Sequence, residues 1–376
     1  MTTLFRPAAF LAALALTGAL STPARADRIT TADGRTIDEV EITNETLGGV
    51  LYKQKGKAGE QNVPADQVLD VQFTNKVPGL IGSALEAIAD GNLADAAQSF
   101  EDFADSVLSG SNKKDKQAWA PGYALAMAIE TNQSMGSKEA TEKILALADI
   151  LISKTPESRY VPFAYMSKAA AQRDLGKAKE AAETAAALKA LVQSKALSDS
   201  YVMQAELLEA EIGGQGAAKR RERYVEIGGR AGATFPVVRN RARVLEAETY
   251  LEGETKDYTK ARKIYEAVTK DPKADAPTLA GAYAGMGDCL FQEAVEKLRS
   301  NGDASAILKD AVLNYLRVVI VYKDQTRYVP RACYQAGKVF EFMGEENRPN
   351  AMTMYRKVVQ EYPGSEWATK AKETRR

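Results

Sequence analysis

Apolar residues along this chain change their spacing once. Up to Phe73 they come in short alternating runs. Over 68–73, Val68, Asp70 and Gln72 oppose Leu69, Val71 and Phe73, the period-two pattern of a half-buried strand. From Gly79 onward they recur every three or four residues. Over 92–108, Leu93, Ala96, Ala97, Phe100 and Phe103 form one stripe, which predicts an amphipathic helix. Further helices are predicted over 118–133, 137–153 and 161–175, and the same alternation runs on to the C-terminus.

Within 27–74, strands are predicted over 28–31, 35–43, 50–52, 61–63 and 68–73, with a hairpin turn at Asp33-Gly34 and a single helical turn over 64–67. Five short strands in so little chain imply a small SH3-like barrel or rolled sheet. Its apolar inventory (Ile29, Ile37, Val40, Ile42, Leu51, Val63, Val68, Val71, Phe73) is thin, so docking on the first helices is expected. A short linker over 74–78 leads into the helical region, 79–376.

A glycine punctuates that region. Gly91, Gly136, Gly176, Gly253, Gly302 and Gly344 each close one helical stretch and open another, in which a small residue precedes a second apolar one by four positions. The pairs are Ala96/Phe100, Ala140/Ile144, Ala181/Ala185, Ala261/Tyr265, Ala311/Tyr315 and Ala351/Tyr355. One interval is about double, and Gly213-Gly214-Gln215-Gly216 falls at its middle. The result is about seven helix–turn–helix units of about 42 residues, a period that marks helical solenoids. An elongated superhelix is expected, not a globule around an active centre. Ser158-Arg159-Tyr160-Val161-Pro162 and Thr326-Arg327-Tyr328-Val329-Pro330, 168 residues apart, support the phase. Each places Pro in a first helical turn, where its missing N–H costs nothing.

The last unit carries a family pattern. Tyr334-Gln335-Ala336-Gly337, Phe340, Gly344, Ala351, Tyr355, Val358-Val359 and Tyr362-Pro363-Gly364-Ser365 resemble a tetratricopeptide repeat, with about two extra residues after Met343-Gly344. The unit with Ala247, Tyr250, Ala261, Tyr265 and Pro272 matches well, and the one around Gly287, Ala311 and Tyr315 has an insertion across 297–306. The resemblance covers roughly 79–376 and is closest to exported bacterial repeat proteins of the cell envelope. It implies a mainly α fold, an α-solenoid of about seven such hairpins behind the β unit, and a role in binding proteins.

The first 26 residues read as a cleaved export signal: Arg6, an apolar stretch from Ala8 to Leu20, then Ala24-Arg25-Ala26. The mature chain is expected in a bacterial periplasm, without lipid anchor or membrane span. Losing Arg6 and Arg25 leaves 48 basic against 50 acidic residues, a balance unlike that of a nucleic-acid or membrane-surface binder. There is no histidine, which excludes His-dependent triads, His-ligated zinc and imidazole acid–base chemistry. Cys289 and Cys333 are expected as two buried thiols, not a bridge.

Three features invite chemistry. The Gly213–Gly216 cluster lacks the preceding strand and Gly-Lys-Ser/Thr ending of a phosphate loop and reads as a turn. Lys219, Arg220, Arg221 and Arg223, with Arg230, Arg239, Arg241 and Arg243 downstream, form the one basic concentration. They make either a patch for an acidic partner or anionic envelope polymer, or a face paired with acids of neighbouring helices; pairing is favoured. Tyr160 and Tyr328 read as packing residues. The carboxylates, Glu246 and Glu248 among them, show no spacing of their own. The expectation is a non-enzymatic envelope adaptor that holds a partner segment on a concave helical face, with no cofactor and no metal. The alternative is a structural component that self-associates or binds peptidoglycan or another glycan; a carboxylate-dependent hydrolase ranks last.

Overall fold

The computed structural model describes residues 26–31, 34–74, 77–115, 117–253, 256–323, 325 and 327–374. The export signal lies outside the described residues but for Ala26, as does Asp33 of the first turn.

Strands β1 (Asp27–Thr31), β2 (Thr36–Thr46), β3 (Gly49–Gln54), β4 (Gln61–Val63) and β5 (Val68–Gln72) form one antiparallel sheet in the order β4-β3-β2-β1-β5. A 3-10 turn at Ala65–Gln67 sits where a single helical turn is expected. β2 runs past its apolar pattern because a register shift between Ile42 and Asn44 breaks the alternation, while pairing continues to Thr46 opposite Gly49.

Helices follow in hairpins. α1 (Gly79–Ala89) turns into α2 (Leu93–Leu108) at Gly91, α3 (Ala120–Met135) into α4 (Lys138–Lys154) at Gly136, and α5 (Val161–Asp174) into α6 (Ala178–Lys195) at Gly176. α7 (Asp199–Ile212) meets α8 (Ala217–Ala231) at the glycine cluster, and α9 (Pro236–Thr249) meets α10 (Tyr258–Thr269) beyond Gly253. α11 (Ala276–Arg299) and α12 (Ser305–Val321) flank Gly302, α13 (Val329–Phe342) and α14 (Arg348–Glu361) flank Gly344, and α15 (Glu366–Thr374) follows. Gly176, at φ 76°, shows why the bends recur: the chain leaves the helix through a left-handed conformation open to glycine. In the α11–α12 bend Asn301, at φ 56°, takes that place instead of Gly302. The insertion across 297–306 lengthens α11 to 24 residues, and the extra residues after Gly344 form a 3-10 turn at Glu345–Asn347.

Each helix packs on its neighbours in sequence, and from α3 to α15 each odd-numbered helix also touches the next odd one. Small residues permit this closeness. Tyr265, Tyr315 and Tyr355 are wholly buried, and a Cβ added at Gly285 would stand 2.2 Å from Tyr265 Cζ. Tyr160 and Tyr328 precede α5 and α13, with Pro162 and Pro330 in the first turns. Cys289 and Cys333 are buried free thiols on α11 and α13, each pushed up to about 12 by desolvation. No helix among the described residues is long and apolar enough to cross a membrane.

The sheet does not stand apart. Phe73 stacks on Trp119 with ring centroids 3.7 Å apart, and one core runs from Ile29, Val50 and Phe73 through Phe100 and Trp119 to Leu151. Leu47 N–H donates to the Glu157 carbonyl at 2.8 Å, and buried Glu45 pairs with Arg159 at the start of α5. At the far end the array returns on itself. A Cβ at Gly364 would lie 2.9 Å from Ser137 Cβ in the α3–α4 bend, and Arg327 comes within 4.0 Å of Glu211 on α7. Small rotations between hairpins accumulate to curl the row, so the open, elongated form expected from the repeats is not what forms.

Candidate binding site

The row of odd-numbered helices carries a ladder of polar residues at one helix offset. The thirteenth residue of α3 is Asn132, of α5 Arg173, of α7 Glu211, of α9 Glu248, of α11 Asp288 and of α13 Glu341. Equal helix offsets and equal stacking bring the middle rungs together. Arg173 pairs with Glu211, and Arg241 and Arg327 stand 3.9 and 4.0 Å from the same carboxylate. Asp288 pairs with Arg331 and accepts the Tyr315 hydroxyl at 2.7 Å.

Glu248 has no such partner. Its carboxylate makes no hydrogen bond among the described residues, and the charges that act on it most are Arg327, Glu211, Arg331 and Asp288. Burial pushes its carboxyl above the usual carboxylate range, against the pull of Arg327 and Arg331. Burial also raises Asp288, against Arg331 and the Tyr315 hydroxyl.

Two cavities open beside this rung. One, of about 270 Å³, is bordered by Arg173, Asp174, Glu211, Arg220 and Tyr224. The other, of about 410 Å³, is bordered by Tyr265, Arg327, Tyr328, Arg331, Glu366 and Trp367, over a floor of Gly281 and Gly285. Glu248 and Glu252 line both. The arrangement can hold charged and aromatic side chains of a ligand in a partly desolvated place, where such contacts gain strength. A shallower cavity of about 500 Å³ beside the end of α2 is bordered by Ser106, Ser109, Ser111, Asp105 and Lys154 and gathers no such network.

The basic concentration lies on α8. Arg220 pairs with Glu252 and borders the smaller cavity. Arg221 lies 3.7 Å from the Tyr250 ring centroid and donates to Thr249 Oγ1 at 2.9 Å. Arg223 reaches Glu226 at 2.7 Å and Glu206 at 3.5 Å, while Lys219 is exposed. Downstream, Arg230 bonds Glu206 and Arg239 pairs with Asp271. Of the four sequence candidates, the structure brings only Arg220 to the cavities. Tyr328, read as a packing residue, borders the larger one. Glu211 and Asp288 were not singled out in the sequence and Glu248 was read as an ordinary carboxylate, although the three share one helix offset. Glu248 therefore does stand apart from ordinary surface carboxylates.

No protein-family model matches this chain, and no curated protein matches it.

Proposed function

We propose that this protein is an exported, non-catalytic adaptor of the bacterial envelope, an α-solenoid of tetratricopeptide-like hairpins with an SH3-like sheet packed on its first helices. Its inner face, formed by the odd-numbered helices, receives a segment of a partner protein. The observation that carries this is the continuous contact from α3 to α15, with two cavities opening on it and sharing Glu248 and Glu252. A preformed face of this kind leaves most of the ordering cost to a flexible ligand. The bends at recurring glycines and the tyrosines buried against Gly285, Gly287 and Gly337 support the repeat assignment. Carboxylate hydrolysis finds less support: a glycosidase needs two working carboxyls about 5–10 Å apart, and here arginines already hold Glu211 and Asp288.

A photo-crosslinking residue tests this in cells. Placed at Leu251, which borders the larger cavity, it should trap one defined protein; placed at Leu313, exposed on α12, it should not. Equal trapping from both positions, or none from Leu251, overturns the proposal. Co-sedimentation with peptidoglycan in place of protein adducts would point to the glycan-binding alternative.

A further inference from the structure

One helix of the odd-numbered row outruns its neighbour. α11 and α13 start alike, each with proline at the second position, but α11 runs for 24 residues and α13 for 14. The last turns of α11 therefore overhang the α13–α14 bend by about 15 Å. Leu290 and Ala294 join the overhang to Ala304 and Leu308 in one buried core, so it is a packed element and not a frayed end. Toward α13 its apolar stripe runs out of partners. Phe291 meets the Phe342 ring nearly at right angles, with centroids 5.2 Å apart. Phe342 still leaves 45% of its surface to solvent, and Leu298, two turns past Phe291 on the same stripe, leaves 37%.

The charges along this apolar ledge are sorted. At its tip Lys297 and Arg299 flank Leu298, both exposed, and Arg299 makes no ion pair or hydrogen bond among the described residues. Asp303, bonded to Ser305, lies near Lys297 without pairing with it. Glu293 and Glu296 face the other way, into a cavity shared with Tyr258 and Arg262 of α10. At the base of the ledge the bend after Phe342 carries Glu345 and Glu346, both exposed, against Arg348. A surface that is acidic at one end, apolar between and basic at the other complements itself when turned end for end.

We propose that two copies of this chain pair through their α11 overhangs, antiparallel about a two-fold axis. Leu298 of one copy lies against Phe342 of the other, and Lys297 and Arg299 meet Glu345 and Glu346. A self-complementary contact of this kind closes at two copies. It is small for a protein interface, so the pair forms in the micromolar range. The overhang takes no part in the cavities beside Glu248, and the proposal stands or falls apart from the adaptor reading.

Sedimentation velocity of the mature chain across the micromolar range should show single copies giving way to pairs, with nothing larger. Leu298→Asp should weaken pairing by at least about tenfold. Ile320→Asp, on the exposed outer face of α12, should leave it unchanged. Charge gives the sharper reading. A chain with its tip reversed (Lys297→Glu with Arg299→Glu) and a chain with its base reversed (Glu345→Lys with Glu346→Lys) should each pair at least about tenfold more weakly alone. Mixed, they should pair again, because each end then meets its opposite charge. All of these side chains are on the surface, and the circular dichroism of each variant should match the wild type. A wild-type chain that stays single throughout or grows past pairs overturns the assignment. So does pairing that survives Leu298→Asp or is lost in Ile320→Asp, or a mixture that pairs no better than its components.

Discussion

The two Arg-Tyr-Val-Pro copies have the same local structure and different surroundings. Each sets its tyrosine before a helix and its proline in the first turn. At the first copy the sheet supplies a cover: Glu45 pairs with Arg159, and the Arg159 guanidinium donates to the Tyr160 hydroxyl at 2.7 Å. At the second, no strand among the described residues arrives. The Arg327 side chain keeps 54% of its surface exposed, its closest carboxylate is 4.0 Å away, and Tyr328 faces a cavity. Local sequence thus decides how a helix begins. What packs over that beginning decides whether an arginine is a fastening or a free contact.

The sharpest way to break this comparison is to remove both arginines in turn. Arg159→Ala strands the Glu45 carboxylate, which has no exposed surface, and should cost about 3–5 kcal/mol in urea unfolding. A loss below about 1 kcal/mol would mean that the cover is not fastened there. Next in size, Gly285→Ala should cost about 1–3 kcal/mol, because the new methyl group meets the wholly buried Tyr265 ring under the open copy. Calorimetry of that variant reports how tightly the cavity floor is packed.

Glu248→Gln sharpens the contrast through pH. Burial holds this carboxyl above its ordinary 4.5, so from there up to its folded value the native state keeps a proton that the unfolded chain has released. Native stability therefore falls as pH rises through that window. The amide removes the loss and should melt about 1–3 °C higher at pH 8, with no advantage at pH 4. Smallest of all, Arg327→Ala should change unfolding free energy by less than about 1 kcal/mol, since the pair it breaks is long and solvated.

The hairpins were legible because their signals are local. Glycines 91, 136, 176, 253 and 344 announce the bends, and stripes such as Leu93 to Phe103 announce the buried faces. Asn301 was not foreseen in the sixth bend, since a nearby glycine offered itself for the same conformation. The ladder was less visible. Glu248 looks like any surface acid beside Glu246 until the helix start at Pro236 is fixed and neighbouring helices set Glu211 and Asp288 beside it. Arg220 and Arg223 were conspicuous as charge, but acids from distant stretches, Glu252 and Glu206, decide what they do. Long-range pairing of this kind leaves no trace in spacing.

The meeting of Gly364 with Ser137 limits how anything reaches the inside. With the last bend resting on an early one, the trough becomes a collar, and entry from that side requires the contact to part. Two routes inward then remain, along the axis or through a parting of the Gly364–Ser137 contact. Residence time would then depend on how fast the collar opens as much as on the contacts within.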